Sequence, residues 1–369
     1  MKYLKIFLFT IIVACFVACD SNSDSEKVNF DREAFLVNMA DNVIQPSIED
    51  FNLKADVLTS ASLAFEEEPT IITLSAFREA LKETWLSYQH LAYVQVVPNV
   101  NLRDRVNIFP ASASKIENNI NSGDFVLGAA SNVDAKGFPA LDYLLFGTGA
   151  TEAEVIAYFS DENIGSNRLQ YATDLVGDIY ATSEAMQDGW ESYRTFFVEN
   201  IGTDVGSGTS ILVNEYNLQF DIRLKNAKIG FPAGGNPRTA GVVAPEKVEA
   251  YYSGWSADLA EASVRASLAV FTGESLQSGT NGLGMDDYLT ALSAVDRNGG
   301  NLSAAIISQT NAALEEMQKI EEPYSVVAAT EGSQLVTVYN ALQAVIPLIK
   351  VDMTSAMSVS ITFQDNDGD

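Results

Sequence analysis

Histidine occurs once in these 369 residues, as His90, and cysteine twice, as Cys15 and Cys19. One histidine excludes any metal site built on paired imidazoles, and it leaves a Ser-His-Asp triad no partner but His90. Basic residues are also scarce, 22 Lys and Arg against 49 Asp and Glu, for a net charge of −27. Such a surface repels phosphate backbones and anionic lipid, and no basic stripe opposes it, so nucleic acid is excluded as a partner. There is no Gly-x-Ser-x-Gly elbow, His-Glu-x-x-His helix, phosphate loop or catalytic Cys-His set. After the first residues, no apolar run is long and uninterrupted enough to read as a bilayer span.

What is present begins with an export signal. Lys2 and Lys5 precede an apolar stretch from Ile6 to Val17, and Phe16-Val17-Ala18-Cys19 reads as a lipobox. Ile12-Val13-Ala14-Cys15 offers a second lipobox. Cys19 is preferred because the polar run Asp20 to Glu26 follows it at once and has nothing to bury. The expectation is a signal peptide over 1–18, an acylated Cys19 and a flexible acidic tether over 19–29. The mature chain would then hold no cysteine and no disulfide. Its acyl chains, at about 0.8 kcal/mol per buried CH₂, would hold it on a membrane without a transmembrane helix.

With 47% apolar residues the length suits two domains with real cores. The periodicity is helical almost throughout. Asp31 is placed to cap a helix carrying Phe35, Met39 and Val43, which Pro46 should bend or end. A second helix is expected over about 73–97, stopped by Pro98, and a short one around Lys115 to Ile120, closed by Gly123. Thr151 to Glu154 form a capping-box pattern. Helices are expected over 167–200, 209–228, 245–272, 301–320 and 324–350. Met357 to Phe363 alternate as a short strand would. The fold class is all-α: two antiparallel helical bundles packed side by side, 30–205 and 206–369, divided at the Gly/Ser-rich stretch Ile201 to Ser210. Gly137-Phe138-Pro139-Ala140 recurs as Gly230-Phe231-Pro232-Ala233, which reads equally as an internal repeat or as shared turn chemistry.

The stretch Gly137-Phe138-Pro139-Ala140-Leu141-Asp142-Tyr143-Leu144-Leu145-Phe146-Gly147 is the most informative. It resembles the Gly-x-His-x-x-Glu region of the imelysin family, with Pro139 at the histidine and Asp142 at the glutamate. Further similarity lies in Trp85 to Gln89, Leu102 to Pro110, Leu212 to Asn214, Lys228 to Gly234, Val248 to Ser253, Lys350 to Met353 and the ending Phe363 to Asp369. The resemblance implies paired helical bundles in a cell-envelope protein of Gram-negative bacteria, periplasmic or surface-exposed at the outer membrane, and tied to iron or haem acquisition. For some members it implies an M75-type metallopeptidase whose ligands are the motif's His and Glu and an acid on the aromatic helix. The nearest counterpart of that acid here is Gln95, so all three ligand positions depart. A zinc hydrolase needs about three protein ligands and an open position, which a carboxylate and an amide do not supply.

The leading expectation is therefore a non-catalytic, lipid-anchored binding protein. Its groove would lie near Gly137, Pro139, Asp142, Arg103, Asn107 and Gln95, with iron, haem or a divalent cation as cargo and Asp142 as the candidate metal ligand. Two alternatives stand beside it: a metallopeptidase with a rearranged carboxylate site, and an accessory lipoprotein that contacts an outer-membrane uptake component. Taken by itself, Asp142 reads first as an acid at a helix start, held by the helix dipole, and only second as that ligand. His90 is a haem ligand or a plain helix residue. Arg103 and Arg105 either fix a loop through carboxylates or hold an anionic ligand. Asp365 to Asp369 resemble the start of a calcium loop that stops short of its closing glutamate. Tyr251, Tyr252 and Trp255 are expected on a helix with Val248.

Overall fold

The computed structural model describes residues 30–363. The signal segment, Cys15, Cys19, the tether before residue 30 and the acidic ending Gln364–Asp369 lie outside the described residues. Among the described residues every regular element is a helix, and two isolated bridges, Glu274–Asn281 and Val295–Asn301, are the only β pairing. The all-α class stands.

The first helix, α1, covers residues 32–67. Asp31 caps it, accepting from the Ala34 N–H at 2.9 Å. Pro46 neither ends it nor stands in an ordinary α-turn. Proline has no N–H to give and crowds the carbonyl four residues back, and the chain widens into a π-helical stretch over Met39–Ile44 that accommodates it. A three-residue turn leads to α2, Ile71–Leu91, whose cap Thr70 exchanges side-chain bonds with Thr73. This helix stops earlier than the periodicity suggests, in a 3₁₀ turn over Ala92–Val94. Short helices follow: α3 (Leu102–Val106), α4 (Ala113–Ser122, closed by left-handed Gly123), α5 over 137–147 and α6 (Glu152–Phe159, opened by the Thr151 capping box). The long α7, Gly165–Glu199, packs on α1, which also packs on α2, and the three make the first bundle.

The Gly/Ser-rich stretch is the link from α7 to α8, which covers 208–230 and is capped by Ser207. With α9 (Ser256–Thr272), α10 (Met285–Ala291), α11 (Leu302–Met317) and α12 over 324–357 it makes the second bundle. The buried apolar residues form one continuous core, and α2 lies against α9 across the seam. The start of α1 also crosses over: Asn38 donates to the carbonyls of Gly273 and Leu283, and Phe30 stacks on Tyr288.

Four expectations change. Residues 245–255 are not helical: a 3₁₀ turn at Pro245–Lys247 leads into a loop with Ala250 and Gly254 both at positive φ. Met357 to Phe363 form no strand. The Asn214 side-chain amide takes the place of a strand partner, donating to the Ser360 carbonyl and accepting from the Thr362 N–H. The repeated Gly-Phe-Pro-Ala sits in opposite contexts, opening α5 at Gly137 but ending α8 at Gly230, which argues for turn chemistry. Finally, Gly332–Met357 is long and apolar enough to cross a membrane, because the helix continues through Pro347 by a π-helical stretch. Leu335, Val338, Leu342, Val345, Ile349 and Met353 are nevertheless buried against the rest of the fold, as a core helix requires.

Candidate functional site

Gly137 opens α5 at φ +70°, and a Cβ there would stand 2.2 Å from the Val106 carbonyl oxygen. Only glycine lets the backbone of α5 approach α3 so closely. The next residue, Phe138, is fully buried and stacks on Trp85 of α2, ring centroids 5.3 Å apart. At the far end of the segment, a Cβ on Gly147 would meet the Tyr252 ring at 2.5 Å. The glycine and aromatic positions of the motif are thus packing positions that seat α5 between α3 and the 245–255 loop.

Asp142 projects toward that loop. Its two oxygens accept the backbone N–H groups of Tyr252 and Ser253, each at 2.9 Å. Neither bond is to α5 itself, so Asp142 is not an acid held by its own helix start. It joins two parts of the chain instead. Burial pushes its carboxyl up to about 6, against the pull of those N–H groups, and the nearby Glu249 carboxylate adds to the rise.

Glu249 lies buried on the same loop. Its Oε1 accepts from Asn107 at 2.7 Å, from Gln89 at 3.2 Å and from the Trp85 indole at 3.2 Å. Its Oε2 pairs with Lys228 from the last turns of α8. Burial holds the Lys228 ammonium below its ordinary range, and Glu249 opposes that shift. Trp85, Gln89, Asn107, Lys228 and Glu249 therefore form one buried polar knot between the bundles, with each carboxylate oxygen occupied.

Beside this knot is a cavity of about 190 Å³, lined by the Phe109 to Ala111 turn, Pro139, Asp142, Glu246 and the two tyrosines Tyr251 and Tyr252. It adjoins a broader surface groove along Glu246, Tyr251, Tyr252 and α12 residues Val326 and Ala329. On the knot's other face, Arg103 and Arg223 flank a crevice with Tyr88 and Asn107. Arg103 is paired with Asp104 at 3.0 Å, and Arg105 with Asp178 at 3.0 Å.

Of the sequence-derived candidates, Pro139 and Asp142 line the cavity, Asn107 joins the knot, and Arg103 borders the crevice. Gly137 works through the backbone. Gln95 is not brought in: its amide donates to the Val100 carbonyl at 3.0 Å, because the 3₁₀ turn after α2 carries it past the seam. His90 is half-buried in the last turn of α2 and is held below its ordinary range by burial, with Asp50 opposing; it lines neither cavity. Tyr251, Tyr252 and Trp255 stand on the loop rather than on a helix. Trp255 packs edge-on against Phe146 of α5.

The chain can now be set beside known proteins. The family model for imelysin, a peptidase family of the M75 type, matches residues 44–348. The chain belongs to the imelysin family. Two solved structures share its fold. One is described as an iron-regulated protein A precursor from Parabacteroides distasonis, 15% identical, TM-score 0.68, covering 88% of this chain and 95% of that one. The other is an imelysin-like protein from Psychrobacter arcticum, 13% identical, TM-score 0.65, covering 90% and 97%. No curated protein matches the chain.

An imelysin-family metal centre can be tested against the residues here. Among the described residues no three of His, Cys, Asp and Glu converge on one point. Both oxygens of Asp142 face backbone donors, and Pro139 brings only its carbonyl. The donor set at the altered motif does not fit a zinc ion.

Sequence reading missed Gln89, Lys228 and Glu249 as site residues, although each stood inside a segment similar to the imelysin family. A usable signal was present for two of them. Lys228 and Glu249 are charges set among apolar and glycine neighbours, Ile229-Gly230 and Val248-Ala250, where a solvated charge would be out of place.

Proposed function

We propose that this imelysin-family protein is a non-catalytic binding protein of the cell envelope, anchored through Cys19 and serving an iron-related process. The observation that carries the reading is the Asp142 carboxylate, whose two oxygens are both taken by the N–H groups of Tyr252 and Ser253. An acid committed in this way positions a loop, and among the described residues it stands without the further His and Glu ligands that a hydrolytic metal would need. The similar fold of an iron-regulated protein supports the iron-related setting.

The contact surface is the cavity and groove around Glu246, Tyr251 and Tyr252. The cavity alone, at about 190 Å³, is smaller than typical organic-ligand sites of roughly 300–1,000 Å³. It therefore takes one end of a ligand whose remainder lies along the groove. Tyr251 and Val326, both exposed there, also suit a protein partner such as an uptake component.

Calorimetric titration of the mature protein with haem, ferric iron, zinc and calcium tests the reading. Binding of haem or ferric iron tighter than about millimolar, weakened by Tyr251→Ala or Glu246→Gln, is expected. If none of the four binds, cargo carriage is wrong, and pull-down from intact cells then decides whether the groove holds a partner. Chelator-sensitive proteolysis abolished by Asp142→Ala would instead establish the metallopeptidase alternative.

A further inference from the structure

The crevice on the knot's other face is small, and its chemistry runs against that of the whole chain. It opens between α2, the end of α3 and α8, and shares only Phe109 with the cavity beside Asp142. In a chain with 49 acids and 22 bases, a pocket assembled at random would be net acidic. Arg103, Arg223 and Lys228 line this one, and among the described residues no carboxylate does. Its open volume is about 10 Å³, room for one water-sized group.

Two of the three cations are already paired, Lys228 with Glu249 and Arg103 with Asp104. Arg223 is half-buried and, among the described residues, has no hydrogen bond and no ion pair. Arg103 repels it from further off, while Tyr88, Asp104 and Glu215 attract it. Asp104 already serves Arg103. Burial pushes the Glu215 carboxyl up to about 8, so at neutral pH it carries little charge. Burial also holds the Arg223 guanidinium below its ordinary range, but a guanidinium stays protonated. Its charge is the one in the crevice that the protein leaves unmatched.

Gln219, four residues earlier on α8, is an independent sign. It lines the crevice and is only 8% exposed, yet its side-chain amide makes no hydrogen bond among the described residues. A buried amide without a partner is costly, and folded proteins leave few of them. Gln219, Arg223 and Ala227 all line the crevice, so one stretch of α8 offers it an amide, a guanidinium fork and a methyl. Half-buried Phe109 adds an apolar edge.

We propose that this crevice binds the carboxylate of a small organic acid, with one oxygen seated between Arg223 and Gln219 and the apolar part lying outside against Phe109 and Ala227. A guanidinium fork matches a carboxylate in two-point geometry, and the amide N–H₂ adds a further donor. A space for one water-sized group takes the edge of a planar carboxylate, whereas a tetrahedral phosphate needs more room.

Benzoate is the probe, titrated by calorimetry at low salt into the mature protein and into its Arg223→Gln and Gln219→Leu variants. Neither side chain bonds to the rest of the described protein, so both variants are expected to fold, and a thermal melt verifies it. Expected are a Kd of about 1 mM or tighter, a weakening of about tenfold or more in Arg223→Gln and about threefold or more in Gln219→Leu. Affinity should be lost in roughly 0.5 M salt. Benzamide, with the same ring and no charge, should not bind, and inorganic phosphate should bind much more weakly. Should one variant fail to fold, the other decides alone. No binding of benzoate, equal binding by a folded variant, or benzamide or phosphate binding as tightly would overturn the proposal.

Discussion

Asp142 accepts the backbone N–H of Tyr252, 110 residues further along the chain, at 2.9 Å, and its second oxygen takes Ser253 in the same way. The acid that stands in the imelysin-family motif is therefore a latch from α5 to the loop carrying Glu249. Losing it leaves two N–H groups without their acceptor. Asp142→Ala should cost on the order of 2–4 kcal/mol, read as a fall in Tm of several degrees. An unchanged melting curve would show that the two bonds are not supporting the loop.

The same carboxyl gives a pH signature. Its pKa is raised from 3.8 to about 6 in the folded protein, chiefly by burial. Between those values the folded state holds a proton that the unfolded state has released, so stability falls as pH rises. The contribution is full below about pH 4 and lost above about pH 6. Chemical denaturation of wild type and Asp142→Asn at several pH values isolates it. The wild-type advantage should shrink by roughly 2 kcal/mol from pH 4 to pH 6.5. A constant difference would place the Asp142 pKa near its ordinary value.

The buried Lys228–Glu249 pair should behave as a unit. Glu249→Gln leaves an ammonium in a dry setting and disturbs the bonds from Trp85, Gln89 and Asn107, at about 3–5 kcal/mol. Lys228→Met alone leaves a buried carboxylate with only neutral donors. The double variant should cost clearly less than the two single losses together, by about 1–3 kcal/mol in a double-mutant cycle. Additive losses would mean the pair contributes nothing as a pair.

Most of the fold was legible in the sequence because its signals are local. Asp31, Thr151 and Gly123 form the caps and stop that their residue types suggest. Where sequence reading failed, the deciding contact was distant. The apolar and aromatic residues around Val248 to Trp255 fit a helix, and nothing nearby announces that Asp142 will pull Tyr252 and Ser253 into a loop. Pro46 reads as a bend or a break, but tertiary packing carries the helix past it by π-helical widening, the same device that takes the helix expected over 324–350 through Pro347. At the site, Pro139 and Asp142 were found because they alter a motif. Lys228 and Glu249 meet only in three dimensions, across 21 residues of turn and loop.

Gly137→Ala tests how α5 is seated. The new methyl would collide with the Val106 carbonyl at 2.2 Å, and the backbone is already at φ +70°. A loss of at least about 2 kcal/mol is expected, with α5 displaced from α3. Gly128→Ala, with open space around its Cβ, serves as the mild control. Equal effects from the two substitutions would remove the close approach as the reason for glycine.

The central claim is that the altered motif holds the protein together rather than holding a metal. Zinc titration by calorimetry, run in parallel on wild type and Asp142→Ala with melting curves for both, bears on it most directly. The expected result is no zinc binding tighter than about millimolar that depends on Asp142, together with a destabilised variant. A micromolar zinc site that vanishes in Asp142→Ala while thermal stability stays unchanged would contradict it.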